Sequence, residues 1–334
     1  VGAIGMNAFE LYVDGKQIVT FSGIHEGSYR YAAVELKAGM MVPIRLDYHE
    51  FSNDASIQLL WARPGIPSTE EAVAAARQAD AVVMVLGLSP RLEGEEMKVP
   101  VEGFAGGDRV RLEIPRTQED LLKTIAATGK PVVLVLLNGS AVAVNWAAEH
   151  VPAIVEAWYP GQAGGAALAD VLFGDYNPAG RLPVTFYKSA DQLPAFDDYS
   201  MKGRTYRFFK GEPLFPFGYG LSYTSFEYRK LSVPAEVRTS DPVTVSVEVE
   251  NTGDRAGEDV VELYLKDAVR SLAGFQRIAL APKERRTVQF TLQPRQFARV
   301  AKDGSKTVEA GAFEISVGGS SAKLQMAGPA NKIE

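Results

Sequence analysis

Apolar residues follow three regimes along the chain. Through residues 1–62 they come in short runs with strand character. Phe9-Glu10-Leu11-Tyr12-Val13 and Lys16-Gln17-Ile18-Val19-Thr20-Phe21 flank Asp14-Gly15. Asp and Gly both accept the positive φ of a type I′ turn, so this pattern predicts a β-hairpin. Further strand-like runs lie at residues 31–36, 41–48 and 57–61, with Lys37-Ala38-Gly39 as a turn. These strands suit part of a β sandwich and are too few to close one.

Residues 63–226 change texture. Ser68-Thr69-Glu70-Glu71 has the form of a capping box and predicts a helix carrying Val73, Ala76 and Ala79. The apolar run Ala81-Val82-Val83-Met84-Val85-Leu86-Gly87-Leu88 then reads as a buried strand. A helix from Thr117 follows, and Pro131–Leu137 is a second apolar run, as expected of a strand covered on both faces. Residues 153–158 read as a third strand and Gly164–Leu172 as a small-residue helix ended by Gly174-Asp175. This alternation predicts an α/β layer with a largely parallel sheet. Gly161, Gly164 and Gly165 lack the spacing and the Lys-Ser/Thr of a phosphate loop, so they are assigned to close helix packing.

The last hundred residues return to β. Val243, Val245, Val247 and Val249 alternate with Thr244, Ser246, Glu248 and Glu250, the period of a strand with one buried face. Asn251-Thr252-Gly253-Asp254 turns the chain, and runs at 260–265, 287–292 and 313–317 continue at the spacing of an immunoglobulin-like or fibronectin type III-like sandwich. The tail after Ser320 shows little pattern.

Composition narrows the function by exclusion. The net charge of −6 argues against a phosphate-tracking nucleic-acid binder. No apolar run approaches the ~18 residues of a membrane span. There is no cysteine, which excludes disulfides and thiolate metal sites and leaves cytosol and periplasm both open. His25, His49 and His150 have no ligand spacing, so neither a metal nor another cofactor is expected. The candidate chemistry lies in the loop Leu92-Glu93-Gly94-Glu95-Glu96-Met97, which follows the first apolar strand and leads into Gly107-Asp108-Arg109. Loops at the carboxyl ends of strands carry the sites of open α/β sheets, and clustered carboxylates raise one another's pKa toward that of a usable proton donor.

Four stretches give the α/β segment a resemblance to the second domain of family 3 glycoside hydrolases, the β-glucosidases and β-xylosidases. They are Leu86-Gly87-Leu88 with the acidic loop and Gly107-Asp108-Arg109; Ala157-Trp158-Tyr159-Pro160-Gly161-Gln162-Ala163-Gly164-Gly165; Asp175 through Phe186; and Pro213 through Tyr223. The β tail resembles the fibronectin type III-like third domain of that family. Residues 1–62 resemble the latter half of a PA14 module through Asp14-Gly15, Leu36-Lys37-Ala38-Gly39 and Leu59-Leu60-Trp61. The resemblance implies a multi-domain α/β plus β fold. An α/β sandwich (flavodoxin-like) domain, 63–226, is flanked by a partial PA14-like β sandwich, 1–62, and a C-terminal fibronectin type III-like sandwich, 227–334.

The same resemblance implies a retaining exo-β-glycosidase whose general acid/base comes from the acidic loop. Against the family's Glu-x-Glu-Gly/Ala-aromatic/Met pattern the role falls on Glu95, with Glu93 as the alternate, because the Lys98–Gly106 insertion shifts the register. Asp108 and Arg109 are expected to pair and pin the loop. Gly203-Arg204-Thr205-Tyr206-Arg207-Phe208-Phe209 resembles a family stretch at the mouth of the site, which makes Arg204 and Tyr206 candidate sugar contacts and Phe208 and Phe209 packing residues. Family members begin with a (β/α)8 barrel carrying an aspartate nucleophile. No barrel fits this sequence, so the chain is expected to be the C-terminal portion of a longer or two-chain enzyme, with the barrel polypeptide as its partner. The expected substrate is an oligosaccharide or an aryl or alkyl β-glycoside, and an assembly of several copies is compatible with the sequence. The rival reading is a non-catalytic carbohydrate-binding or interaction protein on the same domains.

Overall fold

The computed structural model describes residues 1–51, 55–62, 69–90, 92–94 and 101–333, without the side chains of 24–27. It divides into two compact units. One comprises Val1–Val82, Arg91–Asp108 and Asp120–Val132; the other comprises Val83–Pro90, Arg109–Glu119 and Val133–Glu334.

In the first unit, strands Gly2–Val13 and Lys16–Tyr31 form the expected hairpin, with Val13 opposite Lys16 and positive φ at both Asp14 (53°) and Gly15 (74°). Strands Ile44–His49 and Ile57–Leu60 pair with opposite halves of the first strand. Ala3, Phe9, Leu11 and Val19 fill the core beneath it. The run at 31–36 is not a strand: pairing ends at Tyr31, and the residues beyond carry no ladder. The helix Thr69–Gln78 places Glu70 and Glu71 in its first turn, where the helix dipole favours negative charge. Ser68 of the expected capping box lies outside the described residues.

The second unit holds most of the parallel sheet, whose strands run in the order Val82–Gly87, Val132–Leu137, Ala153–Glu156. Central position explains the apolar run of the middle strand, since Leu134, Val135 and Leu136 are all buried. The first strand departs from its expected burial. Val83 and Val85 are 49% and 51% exposed while Met84 is buried, because this strand sits at the sheet's edge and only one of its faces is covered by described residues.

The β-rich module is a sandwich. A three-stranded sheet (Phe226–Ser232, Val243–Asn251, Arg285–Leu292) faces a five-stranded one containing Gly257–Lys266, Arg270–Leu280, Gly311–Val317 and Ser320–Ala327. The inner faces supply one core: Val243, Val245, Val247 and Val249 from one sheet, and Val261, Leu263, Ile315 and Leu324 from the other. The chain after Ser320 is therefore not patternless. Leu324 and Met326 are buried with exposed Lys323 and Gln325 between them, and Asn331–Ile333 adds a short strand. At the turn after the valine strand, buried Asn251 accepts from the Thr224 hydroxyl (2.6 Å) and the Gly253 amide (3.1 Å) and donates to the carbonyls of Arg255 and Leu280. Its polar groups are thereby satisfied inside the protein.

Candidate active-site segment

The acidic loop is launched from a rigid strand end. Gly87 has φ 128°, and a Cβ there would lie 2.2 Å from the Leu137 carbonyl oxygen, so only glycine lets the two strands close at this point. The Gln118 side chain fixes the same residue from both sides, accepting from the Gly87 amide at 2.7 Å and donating to its carbonyl at 3.0 Å. The Leu88 amide then donates to the Leu137 carbonyl. Within the loop, Glu93 is half-buried and Gly94 buried. Glu95, with Glu96 and Met97, falls in 95–100, outside the described residues.

At the carboxyl ends of the neighbouring strands lies a polar cluster that sequence reasoning missed. Asn138 is fully buried and donates to the Ser140 carbonyl (3.0 Å) and to a Glu156 carboxylate oxygen (3.2 Å). The other Glu156 oxygen accepts from the Trp158 amide at 3.0 Å, which secures Trp158 in the left-handed region at φ 55°. Burial raises the Glu156 pKa to about 7, and the hydrogen bonds from Trp158 and Asn138 only partly oppose it. The signal in the sequence was a glutamate closing an apolar strand just before Ala157-Trp158. Arg109 braces the adjoining segment by donating to the Ser140 hydroxyl (2.8 Å) and to the carbonyls of Ala141 (3.1 Å) and Leu112 (2.8 Å). This clamp on a hydroxyl and two backbone oxygens holds the segment that Asp108 and Arg109 were expected to pin.

The raised pKa of Glu156 carries a sign. The folded protein holds this proton more tightly than the unfolded chain, so the stability it contributes is complete below the ordinary carboxylate range near 4.5. That contribution is lost as pH rises through about 7. The shift sets a ceiling of about 3 kcal/mol. Glu156→Gln is expected to remove this decline: thermal melts at pH 5 and pH 8 should lie closer together in the variant than in the parent. An unchanged gap would show that Glu156 is ionised in the fold at both values.

Arg204 and Tyr206 sit on one strap of chain, and both are occupied by protein contacts. Arg204 donates to the carbonyls of Ser200 (3.1 Å) and Asp198 (2.5 Å), while an Asp198 carboxylate oxygen accepts from the Ser200 amide. The Asp198 pKa is lowered, chiefly by that amide. The Tyr206 ring stacks on Phe217 at 4.3 Å, and its hydroxyl accepts from the Leu272 amide at 2.9 Å. Phe209 packs edge-on against Tyr187. Phe196 and Tyr199 on the same strap are 98% and 91% exposed.

Three of the four sequence motifs meet one another. Backbone bonds join Leu182 to Tyr219 and Gly218, and Phe186 to Leu214 and Phe215. Buried Phe186 meets Trp158 edge-on at 6.0 Å. The same stretches stitch the α/β layer to the β sandwich. Arg181 forms an ion pair with Asp259 at 2.6 Å, Tyr176 donates to Glu258 at 2.9 Å, and Arg255 donates to the Gly174 carbonyl. Much of the motif pattern thus encodes packing. Among the described residues no group of three His, Cys, Asp or Glu could hold a metal ion, and no helix is long and apolar enough to cross a membrane.

Residues 16–223 match the model of the glycosyl hydrolase family 3 C-terminal domain, and residues 259–321 match that of a fibronectin type III-like domain. A xylan 1,4-β-xylosidase of Xylanibacter ruminicola is 41% identical over 94% of the chain and 37% of its own length. A β-glucosidase structure from Erythrobacter marinus superposes with a TM-score of 0.69 at 39% identity, over 78% of this chain and 36% of that one. A β-glucosidase from Kluyveromyces marxianus in complex with glucose aligns over 99% of this chain and 42% of its own, at 26% identity and a TM-score of 0.75. The chain therefore spans well under half the length of the relatives it matches.

Proposed function

The chain belongs to glycosyl hydrolase family 3, and on that premise we propose that it is the acid/base-bearing portion of a retaining exo-β-glycosidase. The enzyme so formed removes terminal non-reducing glucose or xylose from β-linked oligosaccharides or from aryl and alkyl β-glycosides. One observation carries the reading: the family match spans residues 16–223, a range that includes the acidic loop, while the chain covers 37% of the length of its xylosidase relative. Glu95 is proposed as the general acid/base, with Glu93 as alternate. The aspartate nucleophile belongs to a (β/α)8 barrel polypeptide of the same enzyme. Retention needs two carboxyl groups about 5–5.5 Å apart, one attacking the anomeric carbon and one protonating the departing oxygen and later activating water.

Arg204 and Tyr206 are proposed to act on the sugar through the shape of the strap they pin, since their own polar groups serve protein contacts. Residues 1–62 are proposed as the latter half of a PA14 module that selects among outer sugar positions, because loops on a rigid sandwich suit recognition.

The test is direct. The isolated chain is expected to show no turnover of aryl β-glucosides or β-xylosides, and activity should appear when the same chain is assembled with a barrel polypeptide bearing the nucleophile. Turnover by the isolated chain would overturn the division of labour. Tight sugar binding by an assembled but inactive protein would favour a carbohydrate-binding role.

A further inference from the structure

We propose that the cleft on the outer face of the five-stranded sheet is a binding site for a neutral saccharide of one or two sugar units. The inference rests on the lining chemistry and is independent of the acid/base assignment. The cleft encloses about 620 Å³, and its lining includes Arg181, Phe217, Glu262, Tyr264, Arg270 and Ser316. That volume lies within the range of small-molecule pockets, about 300–1,000 Å³.

The strand Gly257–Lys266 explains how the cleft is made. Val261, Leu263 and Leu265 point into the sandwich core, so Glu262 and Tyr264 emerge on the opposite face. The floor is rigid: Asp259, 5% exposed, accepts from Arg181 (2.6 Å), from the Tyr228 hydroxyl (2.6 Å) and from the Val260 amide (2.9 Å). Tyr264 donates to a Glu262 carboxylate oxygen at 2.6 Å, and the Arg270 guanidinium lies 3.5 Å from the centre of the Tyr264 ring. The two groups are thus oriented before any ligand arrives. Phe217, stacked on Tyr206, adds an aromatic wall. The hydroxyls of Ser316 and Ser321 line the cleft and make no hydrogen bond to other described residues.

Charge decides the class of ligand. Arg181 and Arg270 face Asp259, Glu262 and Glu314, a balance of one negative charge, and Arg181 is already paired. An anion meets three carboxylates. A metal ion finds no group of three ligands among the described residues. An uncharged polyol ring suits what remains: its hydroxyls donate to Glu262, exchange hydrogen bonds with Ser316 and Ser321, and accept from Arg270, while its C–H face rests against aromatic carbon.

The experiment titrates the full 334-residue chain with xylobiose, cellobiose, inorganic phosphate and Mg²⁺, read by saturation-transfer NMR and calorimetry. Saturable binding of at least one disaccharide is expected, weakened about tenfold or more by Ser316→Ala and by Glu262→Gln, equivalent to about 1.4 kcal/mol. It should be unchanged in Glu93→Gln and Glu95→Gln. Ser316→Ala alters a partly buried hydroxyl that has no hydrogen-bond partner among the described residues, so its melting temperature should match the parent and its result stands even if Glu262→Gln folds poorly. The proposal is overturned if neither disaccharide binds, if phosphate or Mg²⁺ binds in their place, or if Ser316→Ala leaves sugar affinity unchanged.

Discussion

Glu95→Gln in the assembled enzyme is expected to slow hydrolysis of substrates with poor leaving groups by about 10²–10⁴-fold, the usual contribution of a positioned general acid. The amide keeps the size of the side chain and removes the proton it would give to the departing oxygen. Activated aryl glycosides, whose leaving groups depart unaided, should lose far less in the first step. Their second step still lacks a base to activate water, so a glycosyl-enzyme should accumulate and appear as a burst of released phenol. Azide should accelerate that second step and yield a glycosyl azide, since a small anion attacks without general-base help. If Glu95→Gln hydrolyses every substrate at the parental rate while Glu93→Gln shows this pattern, the role moves to Glu93.

The second large effect concerns architecture. Asp259→Ala is expected to destabilise the β sandwich and its junction with the α/β layer by about 3–5 kcal/mol, because it leaves the Arg181 guanidinium buried without a counter-charge. Both partners are mostly sequestered, at 14% and 7% side-chain exposure, and Asp259 also receives the Tyr228 hydroxyl. Burial, reinforced by the Asp259 carboxylate beside it, drives the Tyr228 phenol pKa far above its ordinary value, so Tyr228 stays a donor at any working pH. Urea unfolding followed by circular dichroism would measure the loss. Replacing both partners with apolar residues, Arg181→Met with Asp259→Leu, should recover most of it. A single variant as stable as the parent would show that the pair is hydrated and contributes little.

Local chemistry decided which parts of the fold were legible in the sequence. The hairpin at Asp14-Gly15 announces itself because two adjacent residues must take positive φ, and few pairs do so cheaply. The strand Val132–Leu137 was readable because central strands are apolar on both faces. Edge strands hide. Arg270–Leu280 lies at the margin of its sheet and buries only Ile278 and Leu280, too sparse a pattern to stand out. The alternation around Leu324 and Met326 is short and set among serines, glycine and lysine.

The candidate site divides in the same way. The acidic loop was visible as a run of like charges after an apolar strand. The Gln118 clip on Gly87 was not, because it spans 31 residues of sequence. Nor was the environment of Glu156, which depends on burial and on an asparagine 18 residues earlier. Residues of the stretches that carry the family resemblance, Trp158 and Phe186 among them, pack against one another.

The pairing of Gly2 with Leu60 puts the two ends of the first sixty residues side by side, about 4.8 Å apart at ordinary strand spacing. Closing so long a stretch on itself costs chain entropy that grows only slowly with the residues enclosed, about 0.6 kcal/mol for each doubling of length. Phe9, Leu11 and Val19, buried together within that stretch, offset the cost, so the sheet is held closed by contacts among its own residues.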